Sequence, residues 1–97
     1  MQDNHGTYRA IILFSNKMEA GGALLSLVPN ERQNKTYKGT ANTSGEVEIL
    51  KVKPGNYDVH VNAIKNPDTG EKEAHKGLGL SVKGGDKLLQ KITLIAE

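Results

Sequence analysis

Three polar residues that could bind a ligand alternate along one predicted strand: Asp58, His60 and Asn62. In an extended chain, alternate side chains share a face and lie about 7 Å apart at the backbone. An imidazole between a carboxylate and an amide could bind a polar ligand, or a divalent ion with help from a neighbouring strand. A solvated strand face has the same pattern. We therefore predict no metal ligand and no cofactor, and keep this face as a candidate binding surface.

The other polar groups form no recognised reactive pattern. His5 lies in the polar start of the chain and His75 lies beside a lysine, so sequence alone brings neither to His60. The loop 68–71 lacks the dense acids of a calcium-binding loop. No serine lies in the Gly-x-Ser-x-Gly motif of a nucleophile elbow, and the sequence gives no serine a general base or an oxyanion donor. We predict that the chain is not an enzyme and has no catalytic residue.

Composition excludes several further classes of protein. The 97 residues fit one domain, and 13 basic against 11 acidic residues give a formal net charge of +2. Because the lysines are scattered among acids, no basic stripe for nucleic acid is present, and we predict no nucleic-acid partner. The chain has no cysteine, which excludes disulfides and thiol chemistry. No apolar run approaches the ~20 residues of a membrane span, so we predict none.

The elements that position these residues are predicted to be strands. Apolar and polar residues alternate between turn signals rich in Gly, Pro, Asn and Asp, with no helical period. The predicted strands are 7–14, 23–28, 35–41, 46–50, 56–64, 74–82 and 87–96. Spacing of this kind is typical of a sandwich. We predict an all-β, seven-stranded antiparallel Greek-key sandwich, immunoglobulin- or prealbumin-like, over residues 7–97, after a disordered tail at 1–6.

The segment 39–61 carries the strongest pattern. Gly45 is expected to take the positive φ of a hairpin turn, and Pro54-Gly55 forms a second turn before Tyr57. Tyr57, with Val59, Val61 and Ala63, is predicted to face the core, where its ring closes one end of the sandwich. The strand 35–41 has little apolar content, which predicts an edge strand. On it, Tyr37 and Lys38 are predicted to join the outward face.

The runs 45–49 and 52–59 resemble the "turn-Gly-strand, x-Pro-Gly-x-Tyr-x" pattern of carboxypeptidase regulatory-like domains and their transthyretin-like and collagen-adhesin B-type relatives. Residues 20–27 are similar to the second strand of that family, and the resemblance extends over about 7–95. It implies a module that accompanies a peptidase, a glycan-processing enzyme, a receptor or an adhesin. Adjoining domains are therefore expected partners.

Some adhesin B-type relatives form a Lys–Asn isopeptide bond assisted by a buried acid. The resemblance places the lysine on the first strand, where this chain has Arg9, and the acid at the position of Val61. The last strand has no asparagine. We therefore predict no internal isopeptide bond.

Together these patterns predict a non-catalytic module of an exported or cell-surface bacterial protein, with a structural or protein-interaction role. The alternative is a carbohydrate-binding accessory module of a glycan-acting enzyme, using Tyr37 and Lys38 beside Asp58, His60 and Asn62. The partner, protein or glycan, is not specified. The expected location is extracellular, cell-surface or periplasmic, with a signal peptide already removed.

Overall fold

The computed structural model describes residues 5–32 and 34–97, which form eight strands. The strands are β1 Gly6–Leu13, β2 Leu24–Pro29, β3 Tyr37–Thr40, β4 Glu46–Val52, β5 Gly55–Lys65, β6 Lys72–Val82, β7 Lys87–Thr93 and β8 Ile95–Ala96. Gly6 is the first residue of β1, although the sequence placed it in the tail. The rest of the predicted disordered tail, apart from His5, lies outside the described residues.

The strands form two sheets packed as a sandwich, which confirms the predicted fold class. The smaller sheet has the order β4-β1-β7, and the larger has the order β3-β2-β5-β6-β8. β3 lies at an edge, as predicted. Pairing is antiparallel except between β1 and β7, which are parallel in a continuous register from Thr7↔Lys87 to Leu13↔Thr93. The prediction of purely antiparallel pairing was therefore wrong for β1 and β7.

The last predicted strand, 87–96, divides into β7 and β8, which belong to different sheets. Leu94 lies between them, fully buried, and its N–H donates to the Leu13 carbonyl at 2.7 Å. A buried apolar residue at the crossing lets the chain change sheets without leaving the core. The count is therefore eight strands and not seven.

The core lies between the sheets and is filled by alternate residues of the strands, as the period of two predicted. Its largest fully buried side chains include Tyr8, Tyr57, Ile12, Leu25, Leu27, Ile92 and Leu94. Ala63, predicted to face inward, is exposed. The register passes from Val61↔His75 to Ile64↔Glu73, so two residues of β5 oppose one of β6. This bulge turns Ala63 outward.

The turn at Gly45, predicted to close a hairpin, instead joins the two sheets, and the turn after β6 does the same. The turn at 42–45 leads from β3 to β4, and the turn at 83–86 leads from β6 to β7. Gly45 does take a positive φ, 77°. The Asn42 Oδ1 accepts the N–H groups of Ser44 and Glu46 at 2.9 and 3.0 Å, which fixes the turn.

The Pro54-Gly55 turn is stabilised by two tyrosines, whose hydroxyls both form hydrogen bonds with the backbone of Lys53. The Tyr57 hydroxyl donates to the Lys53 carbonyl at 2.6 Å, and the Lys53 N–H donates to the Tyr37 hydroxyl at 3.1 Å. The two rings meet edge to face with centroids 6.0 Å apart. Tyr57 is 1% exposed, which confirms its predicted place in the core.

Candidate functional site

Asp58, His60 and Asn62 lie on the outer face of the larger sheet, where their alternation places them. His60 is directly opposite Ser26 of β2, which is in turn opposite Lys38 of β3. Directly opposed residues have Cβ atoms about 5 Å apart. The structure therefore brings Lys38 and His60 into one row across three strands, with Ser26 between them. Sequence reasoning did not include Ser26, because strand order is a tertiary property.

Tyr37 does not belong to this face, contrary to the prediction. Its side chain is 8% exposed and packs in the core, because neighbours such as Tyr37 and Lys38 point to opposite faces of a strand. The other aromatic residues of the chain, Tyr8, Phe14 and Tyr57, are buried as well. The face thus offers hydrogen-bonding and charged groups but no tyrosine or phenylalanine ring on which a sugar could stack.

Two glycines make this face shallow beside Asp58 and His60. Asp58 is opposite Gly79 of β6, and His60 is opposite the bulge that contains Gly77, where φ is 80°. A Cβ added at either glycine would meet no atom within 4 Å. The face is therefore uncovered beside Asp58 and His60, and its polar groups are open to a hydrogen-bonding ligand. Across residues 5–32 and 34–97, no three His, Asp or Glu side chains are grouped to hold a metal ion.

A buried carboxylate that sequence reasoning missed joins two loops at one end of the sandwich. Glu73, 1% exposed, accepts the Ser15 N–H and hydroxyl at 2.7 and 2.8 Å and the Asn66 Nδ2 at 3.0 Å. Burial disfavours the charged form, but these donors outweigh it and hold the pKa of Glu73 below its ordinary value. Asn66 in turn accepts the Asp68 N–H at 2.9 Å. The only sequence signal was this Asn-x-Asp turn.

The remaining candidate residues are dispersed. The His5 carbonyl accepts the Gly85 N–H at one end of the sandwich, whereas His75 lines a groove of about 260 Å³ with Ile95 near the other end. The Asp68 carboxylate accepts a hydrogen bond from the Asn16 Nδ2 at 3.0 Å, which is a contact between two loops. The described residues contain no helix long and apolar enough to cross a bilayer.

The first and last described residues lie at opposite ends of the molecule, which measures 49 × 24 × 15 Å along its principal axes. At one end, Gly6 pairs with Val52, and the Thr7 N–H donates to the Asp86 carbonyl at 2.8 Å. At the other end, Ala96 pairs with Glu73 of β6. The eleven residues of β6 connect these ends and span about 33 Å.

Comparison with known proteins places this fold among domains of larger bacterial proteins. No family model and no curated protein matches the chain. Among solved structures, the Bacillus anthracis TIE protein is 16% identical over 96% of the chain, with a TM-score of 0.66. BcpA, the major pilin subunit of Bacillus cereus, is 19% identical over 96%, with a TM-score of 0.65. A proposed carbohydrate-binding protein of Bacteroides uniformis is 17% identical over 99%, with a TM-score of 0.64.

The chain spans only part of each of these proteins: 17% of TIE, 30% of BcpA and 43% of the Bacteroides protein. It therefore has the fold of a β-sandwich domain that occurs within longer chains. The resemblance to regulatory-like domains agrees with the comparisons at the level of this sandwich, and they assign no family.

Proposed function

We propose that the chain is a non-catalytic structural module of an exported or cell-surface bacterial protein, and that it holds its neighbours apart along one axis. The observation that carries the proposal is the position of its two ends. Residue 96 pairs at the start of β6 and residue 6 lies against its end, about 33 Å away along the strand, so domains attached to them would continue the same line. This arrangement suits a spacer in an extended protein.

Both ends of the sandwich are braced, which a spacer requires. Near the first end, the hydroxyls of Tyr37 and Tyr57 hold Lys53 beside the β4–β5 turn. Near the second end, Glu73 ties the loop after β1 to the loop after β5 through Ser15 and Asn66. Breaking these contacts would leave buried or half-buried polar groups without partners, so the contacts limit bending at the loops.

The non-catalytic part of the proposal is supported by the spacing of the reactive groups. His5, His60 and His75 belong to one end, the middle of an outer face and the other end of the sandwich. The Ser15 hydroxyl is occupied in donating to Glu73. A nucleophile needs a base within hydrogen-bond reach, and Ser15 has a carboxylate partner whose lowered pKa makes it a weak base.

A tandem protein of one, two and three directly joined copies tests the spacer role. Small-angle X-ray scattering should show a maximum dimension that increases by roughly 30 Å with each copy, which is the separation of the two attachment ends along β6. A control array with long Gly-Ser linkers should show a broader distribution of dimensions at the same copy number. Copies that fold back on one another, with little increase in length, would contradict the proposal.

Carbohydrate binding is a second candidate, supported by the polar row of Lys38, Ser26 and His60 and by the likeness to the Bacteroides protein. The burial of every tyrosine and phenylalanine ring speaks against it. Retention on a glycan array should be abolished by His60→Ala if this face binds sugar. Lys91→Ala, on the other sheet, is the matched control. No retention of the unmodified protein on any glycan would reject this candidate.

A further inference from the structure

The parallel strands β1 and β7 lie at opposite ends of the chain, β1 as its first strand and β7 just before its last. The chain enters through β1 at one end of the sandwich, and it leaves through β7 and β8 at the other end. Because β1 and β7 run in the same direction, tension between residues 6 and 96 pulls them in opposite directions along their own axes. The load on their shared ladder is therefore a shear.

Shear and peeling load a ladder differently. When neighbouring strands are pulled apart from one end, the hydrogen bonds break one or two at a time. When the strands are pulled past each other, all the bonds of the ladder resist together. The β1–β7 register is continuous from Thr7↔Lys87 to Leu13↔Thr93, with no bulge. Because a single backbone hydrogen bond contributes little net stability, resistance depends on loading all the bonds of the ladder at once.

Further contacts fix β7 along its length. The Tyr8 hydroxyl donates to the Gln90 Oε1 at 2.7 Å, and the Gln90 Nε2 donates to the Gly79 carbonyl at 3.3 Å. Gln90 thus links β1 to β6 of the opposite sheet. At the end of β7, the Leu94 N–H donates to the Leu13 carbonyl. Sliding β7 along β1 would break these contacts together with the ladder.

We propose that the β1–β7 pair is a mechanical clamp that carries tension between the two ends of the domain. The clamp concerns this chain alone, and only its use in a longer protein rests on the proposed spacer role. β8 is the weaker part of the path: it pairs with β6 through Glu73↔Ala96 and Ala74↔Ile95 and adds one bond from the Glu97 N–H to Lys72. It should detach first and pass the load to Leu94 and β7.

Single-molecule pulling in two directions tests the clamp. The chain has no cysteine, so one introduced thiol defines the second attachment point. Pulling between the N-terminus and Glu97→Cys shears β1 against β7, whereas pulling between the N-terminus and Lys87→Cys peels them, since Lys87 pairs with Thr7. Both replaced side chains are exposed, and both variants should keep the melting midpoint of the unmodified protein.

We expect the unfolding force in the shear direction to be at least about twice that in the peeling direction, because the whole ladder carries the load. In the shear direction, Gln90→Ala should lower the force and Lys91→Ala, an exposed neighbour, should leave it unchanged. Equal forces in the two directions would overturn the clamp. If they were equal while the tandem array stayed extended, the spacer role would survive without the clamp.

Discussion

Replacement of Gly45 by alanine should destabilise the fold strongly, through backbone strain and through a steric clash. The same replacement at Gly85 should cause the strain without the clash. Gly45 has φ 77°, where a residue with a Cβ costs roughly 1–2 kcal/mol. Its Cβ would also lie 2.5 Å from the Ile12 carbonyl oxygen, a backbone atom that cannot rotate away. Gly85 has a similar φ of 83° with no atom within 4 Å of the added Cβ. It is the matched control for backbone strain alone.

The clash adds to the strain because the atoms that must move are hydrogen bonded. The Ile12 carbonyl accepts the Ala20 N–H at 2.9 Å, and the Ile12 N–H donates to the Gly45 carbonyl at 2.7 Å. Losing one or both of these bonds costs about 1 kcal/mol each, which brings Gly45→Ala to roughly 2–4 kcal/mol. Gly85→Ala should cost only the strain, roughly 1–2 kcal/mol.

Far-UV circular dichroism during urea and thermal unfolding measures both variants. For a domain of this size, the melting midpoint should fall by roughly 10–30 °C for Gly45→Ala and roughly 5–15 °C for Gly85→Ala. The difference between the variants is the quantity that matters. If Gly45→Ala destabilised the protein no more than Gly85→Ala, the close approach of Gly45 to β1 would be wrong.

Three further substitutions test the core, the carboxylate and the tyrosine pair. Leu94→Ala should cost about 2–5 kcal/mol in denaturant unfolding, whereas Leu89→Ala, 59% exposed, should change stability little. Because the pKa of Glu73 is lowered in the folded protein, its carboxylate stabilises the fold above about pH 4.3, the pKa of an unperturbed glutamate. This stabilisation is lost as the pH falls through the pKa of Glu73 in the folded protein. Glu73→Gln should therefore be less stable than the unmodified protein at pH 7, and its stability should depend less on acid. A steeper acid dependence in that variant would contradict the assignment. Tyr57→Phe removes the donor to Lys53 and should cost about 0.5–1.5 kcal/mol, and an unchanged midpoint would show that the bond is not needed.

The strands could be predicted from sequence because alternation is local, but their assignment to sheets could not. The turns at 42–45 and 83–86 have the Gly and Asn or Asp chemistry of hairpins, yet each carries the chain to the other sheet. The same turn residues suit both outcomes, and only packing of the whole core decides between them. The parallel β1–β7 pair is likewise invisible locally, because its partners are about 80 residues apart.

The candidate face was predictable along β5 and not across strands. Alternation alone puts Asp58 and His60 on one side, and it also excludes Tyr37 from the side of Lys38. The predicted place of Tyr37 was wrong because the low apolar content of its strand suggested exposure, whereas its ring packs on Tyr57. Glu73 could not be predicted as buried, because its three donors come from Ser15 and Asn66, which are distant in sequence or in a loop.

The distance between the two ends of the domain tests the central claim most directly. Spin labels on Thr7→Cys and Glu97→Cys report it in the folded chain, since no native cysteine competes. Thr7 pairs with Lys87, and Lys87 lies ten residues before Glu97 along β7 and β8. At the rise per residue of a strand, this predicts a separation of roughly 30 Å between positions 7 and 97. A narrow distribution near that value would support a spacer loaded along its length. A distribution centred well below it, with the two ends side by side, would contradict both the spacer role and the clamp.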